Sequence, residues 1–259
     1  MRGVEEDSAA IYDRGSSIAA IRNHPFLAEP DGLQALEGGG VVLRPESPSG
    51  VHIRGGSSDQ TGYLLDGIPV LSPYHAAGLF SAWNPDALSG VYLASSLPLS
   101  GYSNALAGTI AAATRTPGPR LGAQGSLSTT QARLTMDGQI GRTGTGYLLS
   151  LRTGIPGSPV PQRDPSYLRA ESGDWLAKLE SPVLGGRARL LAYGSDNETD
   201  AAVQSEPGDQ GSLRNNFEWA GRSVGGEWKG RISGLGVRLL GWSASADASS
   251  GWTGRQERV

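Results

Sequence analysis

A repeat of period two in the C-terminal half constrains this chain more than any other feature. In RLTMDGQIG, Leu134, Met136, Gly138 and Ile140 alternate with Arg133, Thr135, Asp137 and Gln139. GYLLSLRT sets Tyr147, Leu149 and Leu151 against Leu148, Ser150 and Arg152. DWLAKLES sets Trp175, Ala177 and Leu179 against Leu176, Lys178 and Glu180. RARLLAYG places Ala188, Leu190 and Ala192 opposite Arg187, Arg189, Leu191 and Tyr193, and LGVRLLGWSAS places Val237 and Leu239 opposite Arg238. Successive side chains of a strand point to opposite faces, so these stretches are strands with one apolar and one charged face.

Alternation alone fits a soluble β-sandwich and a membrane β-barrel equally well. Two features favour the barrel. Tyr147, Trp175, Tyr193 and Trp242 fall near strand ends, where an interfacial aromatic girdle would lie. The connection GRTGTG is tight, whereas GIPGSPVPQRDPSYLRAESG and SDNETDAAVQSEPGDQGSLRN are long and polar, as expected of barrel strands with short turns at one end and long loops at the other.

Composition narrows the choice. Glycine occupies 39 of 259 positions, about twice its usual share, which disfavours a helical protein. The net charge is −3 with no basic block, so no nucleic-acid partner is expected. There are no cysteines, which excludes a disulfide scaffold and thiolate metal sites. No run reaches the ~20 apolar residues of a membrane helix, and the polar start MRGVEEDSAAIYDRG is not a signal peptide.

The texture changes at TRTPGPRLG. Before it, apolar runs are short. A short helix is expected around Asp31–Leu36, with Asp31 as cap and Gly38 as stop. GVHIR and GYLLDGIPV read as strands meeting at the polar turn GGSSDQT, and Asn84-Pro85 opens a turn of helix. Gly55 and Gly56 suit a tight turn in which Asp59 and Gln60 bond local amides, and Asp66-Gly67 is a hairpin signal closed by Pro69. His75 with Asp66 and Asp86 lacks the spacing of a metal site, and there is no G-x-S-x-G elbow. No metal, cofactor or enzymatic activity is expected.

The run from GVHIRGGSSDQTGYLLDGIPV through SPYHAAGLFSAWNPDAL to GTIAAATRT resembles the plug domain of TonB-dependent outer-membrane receptors. R-G-G-x-x-D-Q, L-L-D-G-x-P-V, P-Y-H and F-S-x-x-N-P-D-A occur in order over about residues 18–118. Gly39-Gly40-Val41 stands where the family usually has Pro-Gly-Val, GYSNALAG carries no arginine, and residues 1–17 hold no readable energy-coupling box.

The resemblance implies an N-terminal extension (1–17), an α+β plug domain (18–118) and antiparallel transmembrane strands of an incomplete barrel, about six to eight of them (119–259). It implies an ion pair from Arg54 to the barrel wall, and a plug loop carrying Tyr74, His75, Phe80 and Trp83 as candidates to face the ligand; Phe80 and Trp83 also suit plug packing. It further implies active uptake of a scarce ligand such as a siderophore, vitamin, oligosaccharide or peptide. The partners would be outer-membrane lipid, a small-molecule or oligomeric ligand, and a TonB-type periplasmic energy-coupling protein. The alternative is a soluble α/β plus β-sheet binding module or a nonfunctional receptor remnant.

Overall fold

The computed structural model describes residues 12, 14–23, 29–38, 40–43, 50–71, 73–75, 80–94, 105–155, 167–204 and 212–255. His24, residues 1–11 and the middle of the Pro-Tyr-His loop, 76–79, lie outside them.

Seven strands form one antiparallel meander in sequence order: β10 (Gly122–Leu127), β11 (Gln131–Ile140), β12 (Thr145–Gly154), β13 (Tyr167–Val183), β14 (Gly186–Gln204), β15 (Ser212–Ile232) and β16 (Leu235–Arg255). At one end the turns are tight. Leu184-Gly185 and Ser233-Gly234 are two-residue turns with positive φ at both positions, the geometry that matches strand twist. The last four strands run 17, 19, 21 and 21 residues, well beyond the roughly 9–11 that span a bilayer.

The two faces of this wall are inverted relative to a water-soluble sheet. Arg133, Asp137, Arg152, Asp174 and Lys178 are buried, while Leu134, Leu149, Leu151, Leu179 and Leu190 are exposed. Cross-strand partners share a face, so register extends the assignment. The outward row Leu149, Ala177, Ala192, Val224, Ser243 carries no charge. Further from the tight turns the same outward face turns polar, with Asp196 paired to Arg222 and Glu198 opposite Glu218.

Register corrects the expected aromatic girdle. Tyr193 shares the inward face with Leu191 and is buried. Trp242 pairs with Gly225, whose Cβ position meets Ile68 of the N-terminal domain, so Trp242 also lies on the inward register. Tyr147 and Trp175 take the outward register.

The N-terminal part packs against the charged face. Its main sheet has the order β1-β8-β9-β4-β5: β1 (Arg14–Ser17), β8 (Leu88–Ala94), β9 (Gly108–Thr114), β4 (Thr61–Leu65) and β5 (Ile68–Pro69). β4 and β9 are parallel; the other pairs are antiparallel. β1 brings residues 14–17 into this sheet. Two small ribbons accompany it, β2 (Val41–Leu43) with β3 (Val51–Ile53) and β6 (Tyr74–His75) with β7 (Phe80–Ser81). Helix α1 (Ile18–Arg22) is capped by the Ser17 hydroxyl, which accepts from the Ala20 amide. The core joins Ile21, Leu36, Leu65, Ile68, Trp83 and Ile110 to Leu148, Leu176 and Leu191 of the wall.

Two local expectations differ from the structure. The helix around Asp31–Leu36 is a single 3₁₀ turn, Gln34–Leu36. Asp31 does cap it, accepting from the amides of Leu33 and Gln34, but Gly38 at φ +94° ends it within one turn. β3 and β4 do not pair with each other; they flank a 3₁₀ turn at Ser58–Gln60 and enter different sheets.

Candidate functional site

Three segments of the N-terminal domain that carry the sequence motifs meet the charged face of the wall. The first is the Asp66-Gly67 hairpin turn, with φ of +52° and +82°. The Asp66 carboxylate accepts from the amide and hydroxyl of Thr114 at 2.9 and 2.5 Å. Arg189 Nη2 donates to the Asp66 carbonyl at 2.6 Å, and its Nη1 lies 3.3 Å from the carboxylate. Lys178, almost fully buried, donates to Thr114 Oγ1 at 2.7 Å and the Arg115 carbonyl at 2.9 Å, and pairs with Glu180 at 2.8 Å. Burying an ammonium costs several kcal/mol unless it is paired and hydrogen-bonded, and these partners meet that condition.

The second segment is the Asn84-Pro85-Asp86 turn. Asn84 caps it, accepting from the Asp86 amide at 3.0 Å, and its Nδ2 donates to Ser150 Oγ at 2.8 Å and Thr135 Oγ1 at 3.2 Å. One side chain thus ends a loop and docks it on β11 and β12. Asp86 accepts from Arg22 at 2.9 Å and Gln124 at 3.0 Å, with Arg133 Nε 3.5 Å away.

The third is the β6–β7 ribbon. His75 places Nε2 2.9 Å from Asp174 Oδ2 and Nδ1 2.5 Å from Asn197 Oδ1. Arg152 Nε donates to the same Asp174 oxygen at 2.5 Å, while its Nη2 donates to the Ser81 carbonyl at 2.6 Å. Tyr193 donates to the Ala82 carbonyl at 2.7 Å. Neighbouring strands β12, β13 and β14 therefore each contribute a polar group to this ribbon.

The residues singled out in the sequence fall into three environments. Asp66, Gly67 and His75 sit at the interface with the wall, and His75 meets Asp174 and Asn197 rather than Asp66 or Asp86. Tyr74 and Trp83 are buried and pack with Tyr63, at ring separations of 5.7 Å for Tyr63–Tyr74 and 6.5 Å for Tyr63–Trp83; Phe80 is half-buried. The hydroxyls of Tyr63 and Tyr74 share a hydrogen bond. Burial raises the pKa of both, that of Tyr74 to about 12. Arg54 and Gly55 form an exposed turn with φ of +50° and +80°. Gly56 lies against Ala107, and Asp59 and Gln60 belong to the following 3₁₀ turn, where the Gln60 carbonyl accepts from the Ala107 amide at 3.0 Å.

Asn84, Arg152, Asp174, Lys178 and Arg189 were not foreseen as interface residues. Arg152, Lys178 and Arg189 stand on the charged side of the period-two repeat, so the signal was present, but no sequence rule gives the partner that the charged side faces.

No protein-family model and no curated protein matches the chain. Solved structures do. The ferric enterobactin receptor PfeA of Pseudomonas aeruginosa, in an R480A/Q482A variant, aligns over 96% of this chain and 47% of its own, with a TM-score of 0.52 at 12% identity. The siderophore receptor PirA of Acinetobacter baumannii aligns over 93% of this chain and 44% of its own, with a TM-score of 0.53 at 12% identity. The chain has the fold of the TonB-dependent outer-membrane receptors. It spans a little under half the length of these two structures. The seven-stranded antiparallel sheet matches part of the barrel in this fold.

Proposed function

We propose that the chain is the α+β plug (18–118) and partial barrel (119–259) of a TonB-dependent transporter in a Gram-negative-type outer membrane. In this reading it takes up a scarce ligand and carries out no chemistry on it. The observation that carries the reading is the inverted wall: charged side chains buried against the plug, leucines facing outward. A soluble module would leave that apolar face in water, where a large exposed patch promotes association.

The ligand is captured on the long-loop side. The periplasmic energy-coupling protein pairs by β-augmentation with a strand segment at the N-terminal end, and the plug rearranges to open a path. β1, at the edge of the plug sheet, leads back to that end. Arg54 acts in register, pairing with an acidic side chain of the barrel.

The test is expression of the chain behind a host export signal in Gram-negative cells, followed by membrane fractionation and disulfide trapping. Single cysteines placed at residues 5–11 are paired with cysteines in the coupling strand of the host TonB-type protein. Outer-membrane recovery with position-dependent cross-links is expected. Recovery as a soluble periplasmic species contradicts the membrane reading; recovery in the membrane with no cross-link at any position contradicts the coupling.

A further inference from the structure

The tight-turn end of the wall carries a row of like charges. On the inner face, Arg187 of β14 lies directly opposite Lys229 of β15, and Lys229 lies directly opposite Arg238 of β16. Arg231 stands two positions further along β15, on the same face, and all four residues are exposed. One carboxylate serves this group: Glu227 pairs with Arg189 at 2.8 Å, with Lys229 at 3.3 Å and with Arg238. Arg187 and Arg231 have no ion-pair partner among the described residues. Like charges directly opposite each other on a sheet are destabilising, so the row calls for an anion. The chain as a whole is net acidic, at −3, which makes this a local excess and not a general property of its surface.

The chain brings an anion to this place. Tyr12, the first described residue, stacks on Tyr92 at a ring separation of 5.2 Å and lies within electrostatic range of Arg238. Residues 1–11 lie outside the described residues and carry Glu5, Glu6 and Asp7 against a single cation, Arg2. An extended stretch of five residues, the distance in sequence from Tyr12 to Asp7, reaches about 17 Å. The row is two strand spacings wide, about 10 Å. The three carboxylates are therefore tethered within reach of all of it.

We propose that this basic row is the docking surface for the chain's own acidic N-terminal segment, residues 5–7. Glu5, Glu6 and Asp7 lie against Arg187, Lys229 and Arg231 and neutralise the charge that Glu227 leaves uncompensated. Any partner that takes up residues 1–11 as a strand must first displace this segment from the wall. The groups on both sides are exposed, so the docking is weak and salt screens it. It is a property of the chain alone and does not depend on the coupling proposed above.

The experiment is electron paramagnetic resonance of a nitroxide at Ser8→Cys in the whole chain, in neutral detergent. Spectra are compared at about 10 mM and about 1 M NaCl, between which the Debye length falls from about 30 to about 3 Å. At low salt the label is expected to be mainly immobilised, and at high salt its immobile-to-mobile ratio is expected to fall about tenfold, the combined effect of a few exposed ion pairs. Arg187→Glu/Arg231→Glu is expected to give the mobile spectrum at both salts, and adding Glu5→Lys/Glu6→Lys to it is expected to restore immobilisation. A second label, at Leu190→Cys on the wall, serves as the reference for folding. A native Ser8 label whose mobility does not change with salt overturns the proposal. So does immobilisation that survives Arg187→Glu/Arg231→Glu with the reference spectrum intact. If that variant releases bound phosphatidylglycerol while the Ser8 label is unchanged, the row takes lipid headgroups and the proposal is overturned. If the variant fails to fold, Glu5→Gln/Glu6→Gln/Asp7→Asn decides: a label that stays immobilised at low salt overturns the proposal.

Discussion

Lys178 and Leu179 are neighbours in β13, and the lysine is the buried one: its side chain is 2% exposed, whereas Leu179 is 43% exposed. In water this order is backwards, since lysine is almost never fully buried and leucine is among the residues most often inside. It becomes favourable when a polar domain fills the inner side of the strand and hydrocarbon covers the outer side. The two residues should therefore respond oppositely to truncation. Lys178→Ala leaves the partly buried Glu180 without its lysine and Thr114 Oγ1 and the Arg115 carbonyl without their donor, and should cost about 3 kcal/mol. Leu179→Ala, measured in the same detergent, should change stability by no more than about 1 kcal/mol. Denaturant unfolding of the two variants checks the contrast.

Asn84 acts through a cap and two wall contacts at once. Asn84→Ala removes all three and strands the partners it bonded, so a loss of about 2–3 kcal/mol is expected. Because the loss falls between the N-terminal domain and the wall, the N-terminal domain should become more sensitive to protease while the turns of the seven-stranded sheet do not. Limited proteolysis with fragment mapping reads this directly.

Gly55 and Gly56 are adjacent but constrained differently. A Cβ at Gly55 meets open space, and its cost comes from φ +80°. A Cβ at Gly56 would lie 2.5 Å from the Ala107 Cβ. Gly55→Asn, a residue that tolerates left-handed backbone, should be nearly neutral. Gly56→Ala should destabilise by about 1–3 kcal/mol through overpacking. Thermal unfolding of both variants separates the two causes.

The Tyr63–Tyr74 pair sets an alkaline limit. Both hydroxyls have folded-state pKa values above their unfolded value of 10.0. A raised folded value means that the stabilisation is complete below the unfolded pKa and is lost as pH rises through the folded one. Stability should hold up to about pH 10 and then fall as pH approaches 12. In a Tyr63→Phe/Tyr74→Phe variant the fall should be smaller. Unfolding midpoints between pH 8 and 12 test the difference.

The sequence showed most clearly what a single strand displays. Period two revealed the wall wherever one face was apolar, as in β11, β12 and β13. It failed where both faces are polar: SDNETDAAVQ reads as loop but forms the second half of β14, and the glycine-rich β10 and β15 gave no alternation. Their pairing depends on ladder hydrogen bonds and neighbours, which leave no local hydrophobic pattern. Turn chemistry was legible at Asp66-Gly67 and at Asn84-Pro85, because positive φ and capping are local demands. The site was less so. His75 drew notice in a plug loop, but its partners Asp174 and Asn197 lie 99 and 122 positions away, and only register brings them to the same face.

The chain contains no cysteine, so single-cysteine labels can report the surroundings of each face without background. The most direct test of the account places a fluorophore in turn at Leu149, Leu179 and Leu190 on the outward apolar rows, and at Glu198 and Asp247 beyond them, in protein reconstituted into bilayers. Brominated lipid should quench the first three and aqueous iodide the last two. Iodide quenching at all five positions, with brominated lipid without effect, would contradict a wall that faces the membrane.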